Sequence, residues 1–192
     1  MVRLQTDAPF YCFTDDASNI NSEVNVISID VTEYLTWENW WAAWWKIQMF
    51  VHPDISTYKR KIFFDLDVII YNKLPDLTRK NFTLLDDSWW REPAHTPLNS
   101  SIVSWTGDIS YVWKKFKSNE EFYLKRYNKG SDEFYYHEII HYDTFPNICP
   151  SIRVNNFLYE KPKDYSICTL GQMHHLLEKG WTGWYSNYLL DR

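Results

Sequence analysis

The sequence has no apolar run long enough to span a bilayer, which takes about 20 residues as a helix. Its start, MVRLQTDAPFYCFTDD, lacks the basic residues and following apolar stretch of a secretory signal, so a cytoplasmic location is expected. Cysteine is scarce: Cys12, Cys149 and Cys168 are odd in number and far apart, with no metal or disulfide spacing. A reducing compartment is the corresponding expectation. Positive charge is also short, with 20 Lys and Arg against 25 Asp and Glu. The net charge of −5 argues against a bulk nucleic-acid binder. No repeat, low-complexity tract or linker interrupts the chain, and 192 residues suit one domain, residues 1–192, with a sizeable core. What is abundant is aromatic side chain: 11 Trp, 14 Tyr and 11 Phe, 19 % of the residues, which demands an explanation.

Short β-like runs alternate with helical patterns. PFYCFT (9–14) and VNVISI (24–29) read as strands. Thr36 can cap a helix from Trp37 to about Phe50, with Leu35 and Trp40 as a hydrophobic staple. KIFFDLDVIIY follows as a strand, then FTLLD (82–86) and LNSSIVSW (98–105). One or two helices are expected between Asp108 and Tyr127, and another, capped by Ser131, over SDEFYYHEIIHY (131–142). SIRV and SICTL read as short late strands, and QMHHLLEKG as a helix closed by Gly180. The alternation predicts an α/β sheet, mixed but mostly parallel, flanked by helices.

KIFFDLDVII, Lys61 to Ile70, carries the chemical signal. Asp65 and Asp67 interrupt an otherwise apolar run, and burying a carboxylate is costly unless its charge is offset. In α/β sheets, ligands sit beyond the carboxyl ends of strands, which is where KIFF runs out. On an extended chain, side chains two apart share one face. Two close carboxylates repel unless a cation lies beside them, and a hard divalent ion such as Mn²⁺ or Mg²⁺ prefers oxygen ligands while keeping positions open for phosphate. The plain alternative, two solvated loop acids, is disfavoured by the apolar runs on both sides.

FFDLDVII resembles the first motif of haloacid-dehalogenase-like phosphatases, in which Asp65 would be the nucleophile. That family keeps the motif near its start, followed by a late acidic pair. Here 64 residues precede Asp65, and Asp86-Asp87 comes too early. Over most of its length the chain instead resembles small nucleotide-sugar glycosyltransferases of the Rossmann-like GT-A fold. CFTDD (12–16) is similar to the strand facing the nucleotide base, and WWKIQMF (44–50) to the helix before the metal strand. DLD (65–67) resembles the Asp-x-Asp motif that holds Mn²⁺ against a donor diphosphate. LNSSIVSW resembles the strand lining the sugar site, and GSDEF (130–134) the acidic turn beside it.

The resemblance implies a metal-dependent hexosyl transfer from a nucleotide-sugar, a UDP-sugar by preference, to an unknown acceptor. It implies nucleotide contacts from Thr14 and Asp15, and metal coordination by Asp67. Asp65 would hold the metal, the ribose or a bound water. Lys46 would face the diphosphate; a solvated helix lysine is the plain alternative. Asn99 and Ser100 would meet sugar hydroxyls, unless they are simply the polar edge of a strand. Asp132 or Glu133 would serve as the acceptor's base, although an acid in a first helical turn is favoured by the helix dipole alone. Relatives carry a late His beside a Gly; here His174 or His175 would take that role as a metal ligand. Only about ten residues precede CFTDD, so the fold is expected to be shortened at the N-terminus. An inactive UDP- or sugar-binding protein is the remaining alternative.

The tryptophans have their own pattern. Trp37, Trp40, Trp41, Trp44 and Trp45 share one helical face, and Lys46 lies nearly opposite Trp37. Trp181, Trp184, Tyr185 and Tyr188 repeat that spacing. The expectation is that the two stripes cover each other in the core; an exposed aromatic surface joining copies of the chain is the alternative.

Overall fold

The computed structural model describes residues 8–30, 44–86, 88, 96–128, 130–151, 160–170 and 183–184. In chain order, β1 (Tyr11–Thr14) and β2 (Asn25–Ser28) come first, followed by a 3₁₀ helix (Lys46–Val51) and a single turn, α1 (Pro53–Ser56). Next come β3 (Arg60–Phe64), β4 (Val68–Ile70), β5 (Thr83–Asp86) and β6 (Leu98–Thr106). Three helices follow, α2 (Tyr111–Ser118), α3 (Glu120–Arg126) and α4 (Ser131–Glu138). The last described strands are β7 (Asp143–Pro146) and β8 (Ile167–Thr169).

The central sheet has the order β3-β6-β5-β7. β6 is its spine, antiparallel to β3 on one side and to β5 on the other, while β5 and β7 run parallel. β1 and β2 form a separate parallel pair, and β4 and β8 an antiparallel one. The α/β class and the mixed sheet are as the sequence implied. Parallel pairing does not predominate among the described strands, because β3 and β5 both use the long β6 as an antiparallel partner.

Side chains alternate across the sheet and build two cores. Leu84, Val103 and Trp105 point into one, with Trp44, Ile47, Phe50, Phe116, Phe134 and Tyr135. Apart from Trp44, just before the 3₁₀ helix, these belong to that helix, α2 and α4, so the described helices cover this face. Leu85, Ile102 and Phe145 point into the other, closed by Leu77, Cys149 and Ile167 with β4 packed alongside. Rings fill the helical side: Trp44 stacks on Phe116 at 5.2 Å between centroids, and Phe50 meets Phe82, Trp105 and Tyr135 edge-on. This accounts for much of the aromatic content, since large rings bury much apolar area per residue.

Three expectations need correction. KIFFDLDVII is not one strand: a turn at Asp65–Asp67, closed by the Val68 N–H on the Asp65 carbonyl at 3.1 Å, moves the chain from the central sheet to the β4–β8 pair. Ser131 is the first residue of α4 rather than its cap; Gly130 caps it at φ 101°, a left-handed conformation that glycine tolerates. α4 ends at Glu138, because β-branched Ile139 turns extended and leads into β7, which the sequence reading missed. The Thr36 cap, its staple and the helix 172–180 lie outside the described residues. Among the described residues no helix is long and apolar enough to cross a membrane.

Of the two aromatic stripes only Trp44, Trp45 and Trp184 are described, and Trp37, Trp40, Trp41, Trp181, Tyr185 and Tyr188 lie outside the described residues. Trp44 packs on Phe116 and Phe134, Trp45 on Phe13, and Trp184 edge-on against Tyr71 at 5.1 Å.

Candidate active site

β6 builds the site through an irregularity. Leu84 pairs with Val103, but the next residue, Leu85, pairs with Asn99, so residues 100–102 have no partner on β5. Bulges of this kind re-aim backbone groups beside functional sites. The Ser100 N–H, released from the ladder, reaches Asp132 Oδ1 at 3.0 Å, and the Ser100 hydroxyl donates to the same oxygen. The Ser100 carbonyl accepts from Lys46 Nζ at 3.4 Å, and the Ser101 carbonyl from the Asp65 N–H at 2.9 Å. Asn99 turns its Oδ1 back to the Ser101 N–H at 2.8 Å. The Asn-Ser-Ser run is therefore buried but bonded, as polar groups in a core must be.

Lys46 enters from the 3₁₀ helix and is the centre of the arrangement. Its Nζ donates to both oxygens of Asp65 at 3.1 Å and lies 5.7 Å from the Phe63 ring centroid. The lysine side chain is 10 % exposed and the aspartate 29 %. Burial pulls the ammonium pKa down, but the charges of Asp65, Asp132 and Asp67 more than offset this and hold it above the ordinary lysine value. For Asp65, burial pushes the carboxyl above its usual range; Lys46 pulls it back, while Asp67 and Asp132 push it further up. Lys46 thus lies within electrostatic reach of three carboxylates, which among the described residues outnumber it.

Asp67 completes it from the far side of the turn. Leu66, at the apex, is 83 % exposed. The Asp67 carbonyl is held by the Leu170 N–H at 2.7 Å, next to β8. Its Oδ1 is shut from solvent and accepts no hydrogen bond among the described residues. A buried carboxylate oxygen left so is costly unless something else satisfies it. The charge reaches two thiols: burial first, then Asp67, pushes Cys168 up to about 12, and Cys149 is raised well above its ordinary value by burial, Cys168 and Asp67.

The structure thus brings together Lys46, Asp65, Asp67, Asn99, Ser100 and Asp132. Glu133 follows on α4 and is half-buried; none of the bonds described above reaches it. Thr14 and Asp15 lie at the end of β1. The Thr14 hydroxyl makes a local turn with Asp16, and no hydrogen bond or ion pair among the described residues joins Thr14 or Asp15 to the acids. His174 lies outside the described residues. Sequence reading missed Tyr135, one helical turn after Asp132. Burial, then the charges of Asp132 and Asp65, hold its phenol well above the ordinary value, so it stays neutral. The i, i+3 spacing from Asp132 was the available signal.

Among the described residues no three His, Cys, Asp or Glu side chains converge closely enough to hold a metal ion by themselves. A Mg²⁺- or Mn²⁺-type ion does not require that, because one or two carboxylates completed by phosphate oxygens and water suffice. The unsatisfied Asp67 oxygen and the surplus negative charge fit such an ion. A separate surface hollow of about 550 Å³, lined by Asn72, Glu160, Lys161, Pro162 and Lys163, lies past the other end of β4, and none of the candidate residues lines it. Compared with known proteins, the sequence matches no family model and no curated protein.

Proposed function

We propose that the protein is a metal-dependent glycosyltransferase with a GT-A-type fold that uses a nucleotide-sugar, in the first instance a UDP-sugar, as donor. The observation that carries this reading is the Lys46–Asp65 pair at the carboxyl end of β3, within electrostatic reach of Asp67 and Asp132, with one Asp67 oxygen buried and accepting no hydrogen bond among the described residues. Such a surplus of carboxylate attracts a divalent cation, and a cation there would draw a diphosphate. When bound, the ion would stabilise the charge that grows on the leaving diphosphate.

The chain's own residues have distinct parts in this scheme. Asp67 would give its free oxygen to the ion. Lys46, kept charged by the surrounding acids, would meet phosphate oxygens and screen Asp65 from them. Asn99 and Ser100 would border the sugar, with Asp132 held in place by Ser100. Asp132 and Glu133 are both candidates for the base that accepts the proton of the acceptor hydroxyl. The phosphatase alternative is less well supported, since Asp65 would have to attack with oxygens that both face Lys46.

The test is thermal unfolding with UDP, UDP-sugars and simple phosphomonoesters, with and without Mn²⁺, on the wild type and Asp67→Ala. UDP with Mn²⁺ should raise the Tm of the wild type and leave that of the variant unchanged. Stabilisation by phosphomonoesters alone would overturn the proposal in favour of the phosphatase.

A further inference from the structure

A second charged feature lies at the other end of β3. A hollow of about 280 Å³ is lined by Lys59, Arg60, Thr78, Arg79, Lys80 and Thr106. Four of the chain's 20 Lys and Arg residues converge there, in a protein of net charge −5. Arg60 begins β3 and Asp65 follows its end, so at about 3.3 Å per residue the two sites stand roughly 17 Å apart.

The hollow is built rather than incidental. Its three segments are tied to one another: the Gly107 N–H donates to the Lys59 carbonyl at 2.9 Å, and the Thr106 hydroxyl to the Arg79 carbonyl at 2.6 Å. The Arg79 N–H donates to Ser104 Oγ at 3.1 Å. The Arg79 guanidinium lies 4.6 Å from the Phe145 ring centroid, and its Nη1 donates to the Asp76 and Thr78 carbonyls at 3.0 and 2.8 Å. Its remaining N–H groups, and the side chains of Lys59, Arg60 and Lys80, make no hydrogen bond or close ion pair among the described residues. Asp76 is the acid that acts on Arg79 and Arg60, but its Oδ1 is already occupied by the Thr78 N–H and hydroxyl.

We propose that this hollow is an anion site that takes the phosphate group of a small phosphorylated ligand. Like charges held together repel, and a bound anion relieves that cost. A fixed guanidinium beside ammonium groups matches the geometry and charge of phosphate oxygens. The hollow, about 280 Å³, has room for a phosphate group. The chain's overall negative charge disfavours an extended polyanion. The site is independent of the transferase reading.

The test is an amide NMR titration of the whole chain with inorganic phosphate, ionic strength held constant with chloride. A parallel arm uses glycerol phosphate, and another uses vesicles of phosphatidylcholine and phosphatidylserine. Saturable shifts at Lys59, Arg60, Thr78, Arg79, Lys80 and Thr106 are expected with both free phosphates. Binding should weaken about tenfold in Arg60→Gln and in Lys80→Gln, both exposed positions, and stay unchanged in Asp67→Ala. A response to vesicles without saturable binding of free phosphate, or shifts that chloride reproduces, would overturn the site. So would a response confined to Lys46, Asp65 and Asp67, which would leave the transferase reading standing.

Discussion

Ser100 gives its backbone N–H, at 3.0 Å, and its hydroxyl to one oxygen of Asp132, Oδ1. Two donors from one residue fix the first turn of α4 against β6, at the place where β6 has left the β5 ladder. Ser100→Ala should lower stability by about 1 kcal/mol, one neutral donor having gone. Asp132→Ala should cost more, about 1–3 kcal/mol, because a buried N–H loses its acceptor. Urea unfolding of both variants checks the order.

Lys46 and Asp65 form a pair with little solvent access, so removing one partner strands the other. Lys46→Met should destabilise by about 3–5 kcal/mol, since Asp65 would then face only Asp67 and Asp132. Adding Asp65→Asn to that variant should recover much of the loss. A double-mutant cycle in urea measures the coupling, and additive losses would show that the pair does not act as a unit.

The same residue sets a pH dependence. Asp65 has its folded pKa raised, so the folded state holds that proton more tightly than the unfolded chain does. Its contribution is fully present below the usual carboxylate pKa and is lost as pH rises through the raised value. Asp65→Asn should therefore gain stability relative to the wild type as pH climbs out of the acid range, read from unfolding midpoints. Parallel pH profiles for the two proteins would refute this.

The buried thiols titrate in the opposite region. Cys168 is raised from an ordinary 9.0 to about 12, so its contribution is complete below pH 9 and lost above it. The loss is bounded at roughly 4 kcal/mol, and Cys168→Ala should flatten the alkaline limb of the stability curve. In a thiol-labelling experiment at neutral pH, half-buried Cys12 should react first and Cys149 and Cys168 only on unfolding.

The ring cluster gives a simpler expectation. Phe116 is fully buried between Trp44, Trp113 and Phe134. Phe116→Ala should cost about 3–5 kcal/mol through lost contact and the cavity left behind. Thermal or urea unfolding reads it directly.

Much of the site could be read along the chain, because its members lie on short patterned runs. LNSSIVSW was legible as a strand even with four polar residues, yet its irregular pairing was not, since that depends on β5. In KIFFDLDVII the acids were plain but the backbone geometry was not: hydropathy continues across Asp65–Asp67, while the backbone changes sheets there. DTFP was hidden by the helical rhythm of HEIIHY and became a strand through parallel pairing with β5. The link between Lys46 and Asp65 spans 19 residues, a distance at which only tertiary packing decides.

β1 and β2 share no backbone ladder with the central sheet among the described strands. Side chains join them to the rest, through Tyr11 on Tyr58 and Phe13 on Trp45 and His52. Among the described residues this makes a seam of side chains, along which β1 and β2 can peel before the whole unfolds. Amide deuterium uptake in β1 should outpace that in β6, so Thr14 and Asp15 would sample solvent on a clock of their own, apart from the acids they were expected to join.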